Sequence, residues 1–216
     1  PPWQGGDWQR FDQDITRAGA EGALRFQAGR TTRISMGLHV ESSEPDSTFT
    51  ESSDDKDLGP GELPPPLQDD LGKTLTTGAF FRVVRDTRDS DAYPLSGSFS
   101  LLTLQINDTF LGGDRIFTKV VGDVRKHISL GDKTVWSSRL KGGVVTDDAP
   151  YYDRFYIGGN YTIRGFAEWS LSPAEGNDGF WLINTEIRTP LIRSPSQQPR
   201  LTGLFFFDAG QGWQRN

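Results

Sequence analysis

The sequence predicts an all-β chain, an antiparallel transmembrane β-barrel wall, on three observations. Several segments alternate apolar and polar side chains with period two. Thr32, Ile34, Met36, Leu38 and Val40, for example, stand against Arg33, Ser35, Gly37, His39 and Glu41, as in a strand whose two faces meet different surroundings. Apolar residues make up 34% of the chain, yet it carries 12% aromatics, 25 glycines and 13 prolines. An ordinary globular domain reaches roughly 45–50% apolar residues, glycine included, and a soluble sandwich would need the more apolar core. No run of about 18 apolar residues offers a membrane helix.

Composition removes several function classes. The net charge is −6 and no basic patch stands out, which argues against nucleic acid. There are no cysteines, so disulfides and thiolate metal sites are excluded. His39 and His127 each fall on the polar side of an alternating run, and an isolated histidine is not a metal site. No metal and no cofactor are expected. The chain reads as an internal piece of a longer protein, without a signal peptide.

In chain order, 1–14 is polar with Trp3, Trp8 and Phe11 and takes no assignment. A first strand spans 15–30, where Leu24, Phe26 and Ala28 alternate with Arg25, Gln27 and Gly29. Gly29, Arg30 and Thr31 turn it into the clear strand of 32–41. The stretch 41–70 differs: ten acidic residues, one lysine, five prolines and no apolar period. It is expected to be a long solvated loop. In an outer-membrane barrel the long loops are extracellular and the short turns periplasmic, so this acidic, Pro-rich segment is assigned to the outside.

Strands follow at 71–85 and 96–109, with Leu102, Leu104 and Ile106 on one face of the latter. Between them Arg85, Asp86, Arg88 and Asp89 form a charged turn; alternating charges pair along a strand end, and Asp favours turns. Gly112–Gly113 lacks the Gly-Lys-Ser/Thr ending and the helix of a phosphate loop. Segment 115–128 alternates Ile116, Thr118, Val120, Val124 and Ile128 against Lys119, Asp123, Arg125 and His127. After a turn at 129–133, 134–146 places Trp136, Leu140 and Val144 opposite Arg139 and Lys141. Apolar outside and charged inside is the barrel pattern. Strands at 179–189 and 201–209 close the set, separated by a loop of three prolines at 190–199. That makes about eight strands.

The segment 147–174 organises the rest. Its centre, DRFYIGGNYTIRGFAEW, sets one cation, Arg164, among Gly158, Gly159, Gly165 and the aromatics Phe155, Tyr156, Tyr161, Phe166 and Trp169. Glycines let the chain adopt unusual backbone angles and pass close to another surface; aromatics supply contact area that a solvated loop does not need. A buried guanidinium requires a carboxylate. Glu186, on the polar side of its strand, and Asp208, whose face the FFF run leaves open, are the candidates, as one partner or both.

These residues also carry a resemblance. RFYIGGNYTIRGF resembles the signature loop of the BamA/TamA superfamily of outer-membrane assembly barrels (bacterial surface antigen type). FFFDAGQGW resembles its next motif, and VVRDTRDSDAYPLSGSFS and LGGDRIFTKV resemble earlier ones, in the family's order from Thr74 to Trp213. The resemblance implies that Arg164, Gly165 and Phe166 fold into the lumen, and that Asp208 pairs with Arg164. It also implies that 1–216 is a partial barrel domain, a segment of a larger barrel of about sixteen strands, with periplasmic POTRA domains elsewhere in the protein.

The function implied is assembly, insertion or translocation of client outer-membrane or secreted polypeptides, with outer-membrane lipid and periplasmic or lipoprotein partners, in a bacterial or organelle outer membrane. A passive pore or receptor, and a membrane anchor for a fused enzyme domain, are the alternatives. An enzyme within these residues is not expected: no Gly-x-Ser-x-Gly elbow occurs, and Asp147-Asp148 lies in a loop.

Overall fold

The computed structural model describes residues 11–12, 14–45, 49–51, 56–58, 65–68, 70–131, 133–146, 148–193 and 199–215. Eight long strands form one antiparallel sheet: β2 (Ile15–Ala28), β3 (Thr32–Pro45), β6 (Thr74–Asp86), β7 (Gly97–Asn107), β8 (Phe117–Gly131), β9 (Thr134–Val145), β10 (Gly179–Arg193) and β11 (Pro199–Trp213). Their order is β11-β10-β9-β8-β7-β6-β3-β2, so every strand pairs with its neighbour in the sheet's sequence and the sheet is left open at β2 and β11. A small sheet joins β1 (Phe11–Asp12), β4 (Phe49–Glu51) and β5 (Lys56–Leu58), and a single helical turn, α1, covers Pro65–Gln68.

Alternation sorts the two faces as the pattern requires. Leu24, Phe26, Met36, Leu38, Val40, Leu102, Val124, Leu140 and Ile183 are exposed on one face. The opposite face carries Ser35, Asp123 and Ser137, which are buried. We call the polar face inner, because the long segment 146–178 lies against it. Among the described residues no helix is long and apolar enough to cross a membrane. A strand apolar outward and polar inward satisfies lipid with its side chains and satisfies its backbone through its neighbours.

Successive connections fall alternately at the two ends of the sheet: the turns at 29–31, 87–96 and Lys133 lie at one end, called here the short-connection end, and 108–116 and 148–178 lie at the other, the long-connection end. Lys133 closes its turn in the left-handed region at φ 63°, two residues past a bulge between Ser129 and Gly131.

Several strands outrun the alternating pattern. β3 continues to Pro45, into the stretch expected to be loop, because Ile15↔Pro45 pairs it to β2 and Ser43↔Thr74 to β6. β4 and β5 also lie in that stretch, while 46–48, 52–55, 59–64 and Asp69 fall outside the described residues, as do 1–10. β10 runs through Pro190, where a loop was expected. Its pairing with β9 ends at Arg188↔Val135, whereas Pro190 still faces Thr202 of β11. A proline lacks the ladder N–H and is tolerated where one side is unpaired and the strand bulges; the bulge lies between Pro190 and Ile192.

Solvation of 41–70 is likewise not uniform. Leu67 is buried with Tyr151, backed by Ile15, Leu71 and Tyr152. Asp70 is buried too; it accepts from the Tyr151 N–H at 2.8 Å and pairs with Arg115 at 2.8 Å. The pattern could not reveal these contacts, because they are made to residues 45 to 81 positions away.

Candidate functional site

Segment 146–178 is held by apolar packing at one end and by charge at the other. Phe155 and Ile157 of the segment pack with Phe117 (β8), Val145 (β9), and Phe180 and Leu182 (β10). Phe155 and Phe180 sit ring to ring at 4.7 Å. The inner face of β10 is therefore apolar at the long-loop end, where the segment covers it, and polar farther down at Asn184, Glu186 and Arg188. Burying two such side chains contributes about 3–6 kcal/mol as an upper estimate. Phe155 also exchanges backbone bonds with Asn177, and the Asn177 amide donates to the Phe155 carbonyl at 3.0 Å. Tyr156 donates its hydroxyl to the Tyr151 and Ala174 carbonyls at 3.1 and 3.0 Å; burial pushes its pKa above the usual phenol range.

Beyond this anchor the backbone turns sharply. Gly158, Gly159 and Gly165 have φ of 112°, 90° and 89°, a region that a side chain disfavours. At Gly158 a Cβ would also lie 2.6 Å from the Ala167 carbonyl, and at Gly159 2.8 Å from the Glu168 carboxylate; at Gly165 it would meet nothing. Thr162 ties the bend together: its Oγ1 accepts from the Gly158 N–H at 2.9 Å and donates to the Gly158 carbonyl at 2.7 Å. Ile163 is buried, and Phe166 stays exposed at 53%.

Arg164 follows that bend and meets both carboxylates. Its Nε and Nη2 donate to Asp208 Oδ2 and Oδ1, each at 2.8 Å, a two-pronged fork. Its Nη1 donates to Glu186 Oε2 at 2.8 Å, and its backbone N–H adds a bond to Asp208 Oδ2 at 3.0 Å. The guanidinium lies over the Phe206 ring at 3.9 Å. Fork geometry and ring stacking are what arginine does and lysine cannot. The Asp208 carboxylate, and then Glu186, hold the guanidinium pKa well above its usual value against burial. Asp208 is nearly sealed, its side chain 2% exposed. Its face follows from register: Asp208 pairs with Asn184, and opposite residues of an antiparallel pair share a face. Phe205 and Phe207 therefore point outward and Phe206 inward, so the FFF run keeps its alternation.

Residues that sequence reasoning had not singled out extend the cluster. Arg188 Nε lies 3.4 Å from Glu186 Oε1, an ion pair too poorly aligned for a hydrogen bond. Its Nη2 donates to the Pro94 carbonyl and to Ser137 Oγ, both at 3.1 Å, and it lies 4.8 Å over Tyr93. The inner-face cluster thus reaches from Arg164 to the turn at the short-connection end. Arg139 joins Asp123 at 2.8 Å and donates to the Tyr161 carbonyl at 3.0 Å; Asn184 donates to the Thr162 carbonyl at 2.7 Å. Their inner-face parity was the available signal, but not their partners.

The charged residues of that same turn bond within it rather than to Arg164. Arg88 forks onto Asp86 at 3.0 and 2.6 Å and reaches Asp91 at 3.0 Å. Asp89 accepts the Leu95 and Ser96 N–H groups at 2.9 and 3.2 Å. Arg85 sits across from Thr32 and Ser100 on the exposed face. Asp86, Arg88 and Asp89 bind within their own turn. His39 bonds Asn107 through Nε2 at 2.8 Å and His127 bonds Ser137 at 2.9 Å. Among the described residues no group of three His, Cys, Asp or Glu side chains could hold a metal.

An antiparallel sheet that is apolar outward and polar inward, with one long segment lying against its inner face, has the architecture of a β-barrel membrane protein. A model of the Omp85 superfamily domain matches residues 6–216; the chain belongs to the Omp85 superfamily, and its place is the outer membrane. It is 32% identical over 112 residues to the outer membrane protein assembly factor BamA of Nitratidesulfovibrio vulgaris, covering 50% of this chain and 14% of that protein. It is 28% identical over 140 residues to the sorting and assembly machinery component 50 homolog A of Xenopus laevis, covering 61% of this chain and 30% of that protein. The crystal structure of BamA from Haemophilus ducreyi lacking POTRA domains 1–3 superposes with a TM-score of 0.75 at 16% identity, over 94% of this chain and 42% of that one. The open sheet superposes on part of that BamA barrel, and the chain spans less than a third of the length of these two curated relatives.

Proposed function

We propose that this chain is part of the barrel of an outer-membrane protein assembly or insertion factor, and that Arg164 pins segment 146–178 to the inner wall through Asp208 and Glu186. The relatives named as an assembly factor and as a sorting and assembly machinery component support the role. The observation that carries the pinning is the fork from Arg164 onto an Asp208 side chain only 2% exposed, which fastens the segment to β11, with Glu186 fastening it to β10.

Fastening two adjacent strands from inside would brace the wall while a seam elsewhere in the barrel opens. A client strand would add to a free sheet edge there by main-chain pairing, with no chemical step. Client outer-membrane or secreted polypeptides are then the substrates, with periplasmic or lipoprotein partners, and the chain is not an enzyme.

The test is folding of a reporter outer-membrane barrel by the full-length protein reconstituted in lipid vesicles. The expected result is accelerated reporter folding, lowered at least several-fold by Arg164→Ala while the variant barrel itself remains folded. A protein that conducts ions but leaves reporter folding at the lipid-only rate would overturn the assembly role. Unaltered reporter folding in the Arg164→Ala variant would overturn the pinning.

A further inference from the structure

The connection between β7 and β8 carries an apolar tip that the assembly role does not use. Phe110 is 92% exposed, beside Leu111 at 45% and Ile116 at 53%. This is not a loose loop. Asp108 caps the short 3-10 turn Thr109–Leu111 by accepting the Phe110 N–H at 2.8 Å. Gly112 closes the turn in the left-handed region at φ 88°. Asp114 is clamped to Leu75 of β6 twice: its N–H donates to the Leu75 carbonyl at 2.7 Å, and its Oδ2 accepts the Leu75 N–H at 2.7 Å. A phenylalanine held this far into solvent by an ordered scaffold costs free energy in water and suggests a partner phase.

The register says which way the arch leans. Thr77 pairs with Val40, and Ala79 with Ile106; Val40 and Ile106 are exposed residues of the apolar outer face. Thr77 shares that face, yet it is buried at 7%. The arch covers it: Thr77 Oγ1 donates to the Asp108 carbonyl at 3.2 Å, and a Cβ on Gly113 would lie 2.8 Å from that hydroxyl oxygen. Residues 108–114 are therefore folded over the outward, lipid-facing side of β6 at the long-connection end. They continue the apolar band of Leu38, Val40 and Ile106 rather than turning toward the lumen.

We propose that this arch is a membrane-interface anchor, with Phe110 and Leu111 inserted among the lipid chains just below the headgroups of the leaflet at the long-connection end. The inference rests on the barrel fold alone. The occupant is lipid, because the patch is continuous with the face that lipid already covers, and because Asp108 and Asp114 turn their carboxylates back onto the arch's own backbone and β6. Aromatic side chains suit the boundary between headgroups and chains.

The chain has no cysteine, so Phe110→Cys, in the full-length protein with any cysteine elsewhere replaced, accepts a single environment-sensitive dye. The labelled protein is reconstituted in phosphatidylcholine vesicles containing lipids that carry a nitroxide near the headgroup or deep in the chain. Asp91→Cys, on the short-turn end and 90% exposed, is the aqueous reference. We expect blue-shifted emission at position 110, quenched more by the shallow nitroxide than by the deep one and at least threefold less by aqueous iodide than at position 91. Emission and iodide quenching equal to position 91, with no nitroxide quenching, would overturn the anchor. Should the Phe110→Cys protein fail to fold, Leu111→Cys gives the same reading with the same two outcomes.

Discussion

Arg164→Ala removes three side-chain bonds to two carboxylates and leaves the backbone N–H to Asp208 in place. Stripping one partner from a buried ion pair costs about 3–5 kcal/mol. Here Asp208 is 2% exposed, but Arg164 and Glu186 keep 20% and 22% of their side-chain surface, and solvent there screens part of the loss. We place the cost at about 2–3 kcal/mol. The apolar anchor at Phe155 and Ile157 is untouched, so the loss falls on docking of 158–166 and not on the barrel. At about 1.4 kcal/mol per tenfold, the undocked population should rise roughly 30- to 150-fold. Amide hydrogen exchange of the full-length protein in detergent reads that population directly: amides of 159–165 should exchange faster by that factor, while those of β9 and β10 stay within about twofold. Arg164→Lys should fall between, because an ammonium keeps the charge but cannot fork. Paired with Asp208→Asn, the double variant should lose less than the sum of the two single losses. Exchange at 159–165 within threefold of the parent in Arg164→Ala would refute the reasoning, since the ion pair would then carry none of the docking energy.

Three further outcomes follow from the geometry. Gly158→Ala places a Cβ against the Ala167 carbonyl at a positive φ and should undock the bend by about 2 kcal/mol or more, whereas Gly165→Ala, strained but unobstructed, should cost about 1 kcal/mol; the same exchange measurement separates them, and equal effects would refute the distinction. Tyr156→Phe leaves two carbonyls without their donor and should loosen 151–174 by about 1–2 kcal/mol, read as faster proteolytic nicking within the segment. At the charged turn a little desolvation raises the Asp89 pKa, but the Ser96 and Leu95 N–H groups outweigh it and hold the pKa below the usual 3.8. A carboxylate depressed on folding contributes order above its unfolded pKa and loses it as pH falls through the folded one. Protection of the Leu95 and Ser96 amides should therefore hold down to about pH 4 and fade below it, and Asp89→Asn should abolish that pH dependence.

Alternation is the part of this protein that the sequence by itself determined. Period two assigns Glu186 to the face of Asn184 and Arg188, and Trp181 and Ile183 to the other, with no knowledge of neighbours, because the pleat turns successive side chains to opposite sides. Glycines and aromatics around Arg164 likewise mark a loop that must be packed, and a cation so placed needs a carboxylate. Both conclusions use only short-range chemistry.

Partner choice was decided by the tertiary structure. Asp208 could be assigned to a face only through its pairing with Asn184, which depends on the register of β10 on β11 and not on any local pattern. Arg164 meets two carboxylates because adjacent strands bring Glu186 and Asp208 beside the same guanidinium, although they are 22 and 44 residues from it in the chain. Asp70 beneath Tyr151, Arg188 on Pro94, and Thr77 under the 108–114 arch have the same origin. The sequence specifies which groups need a partner; only the register and pairing of the strands, which fix distance between residues remote in the chain, select which partner each one gets.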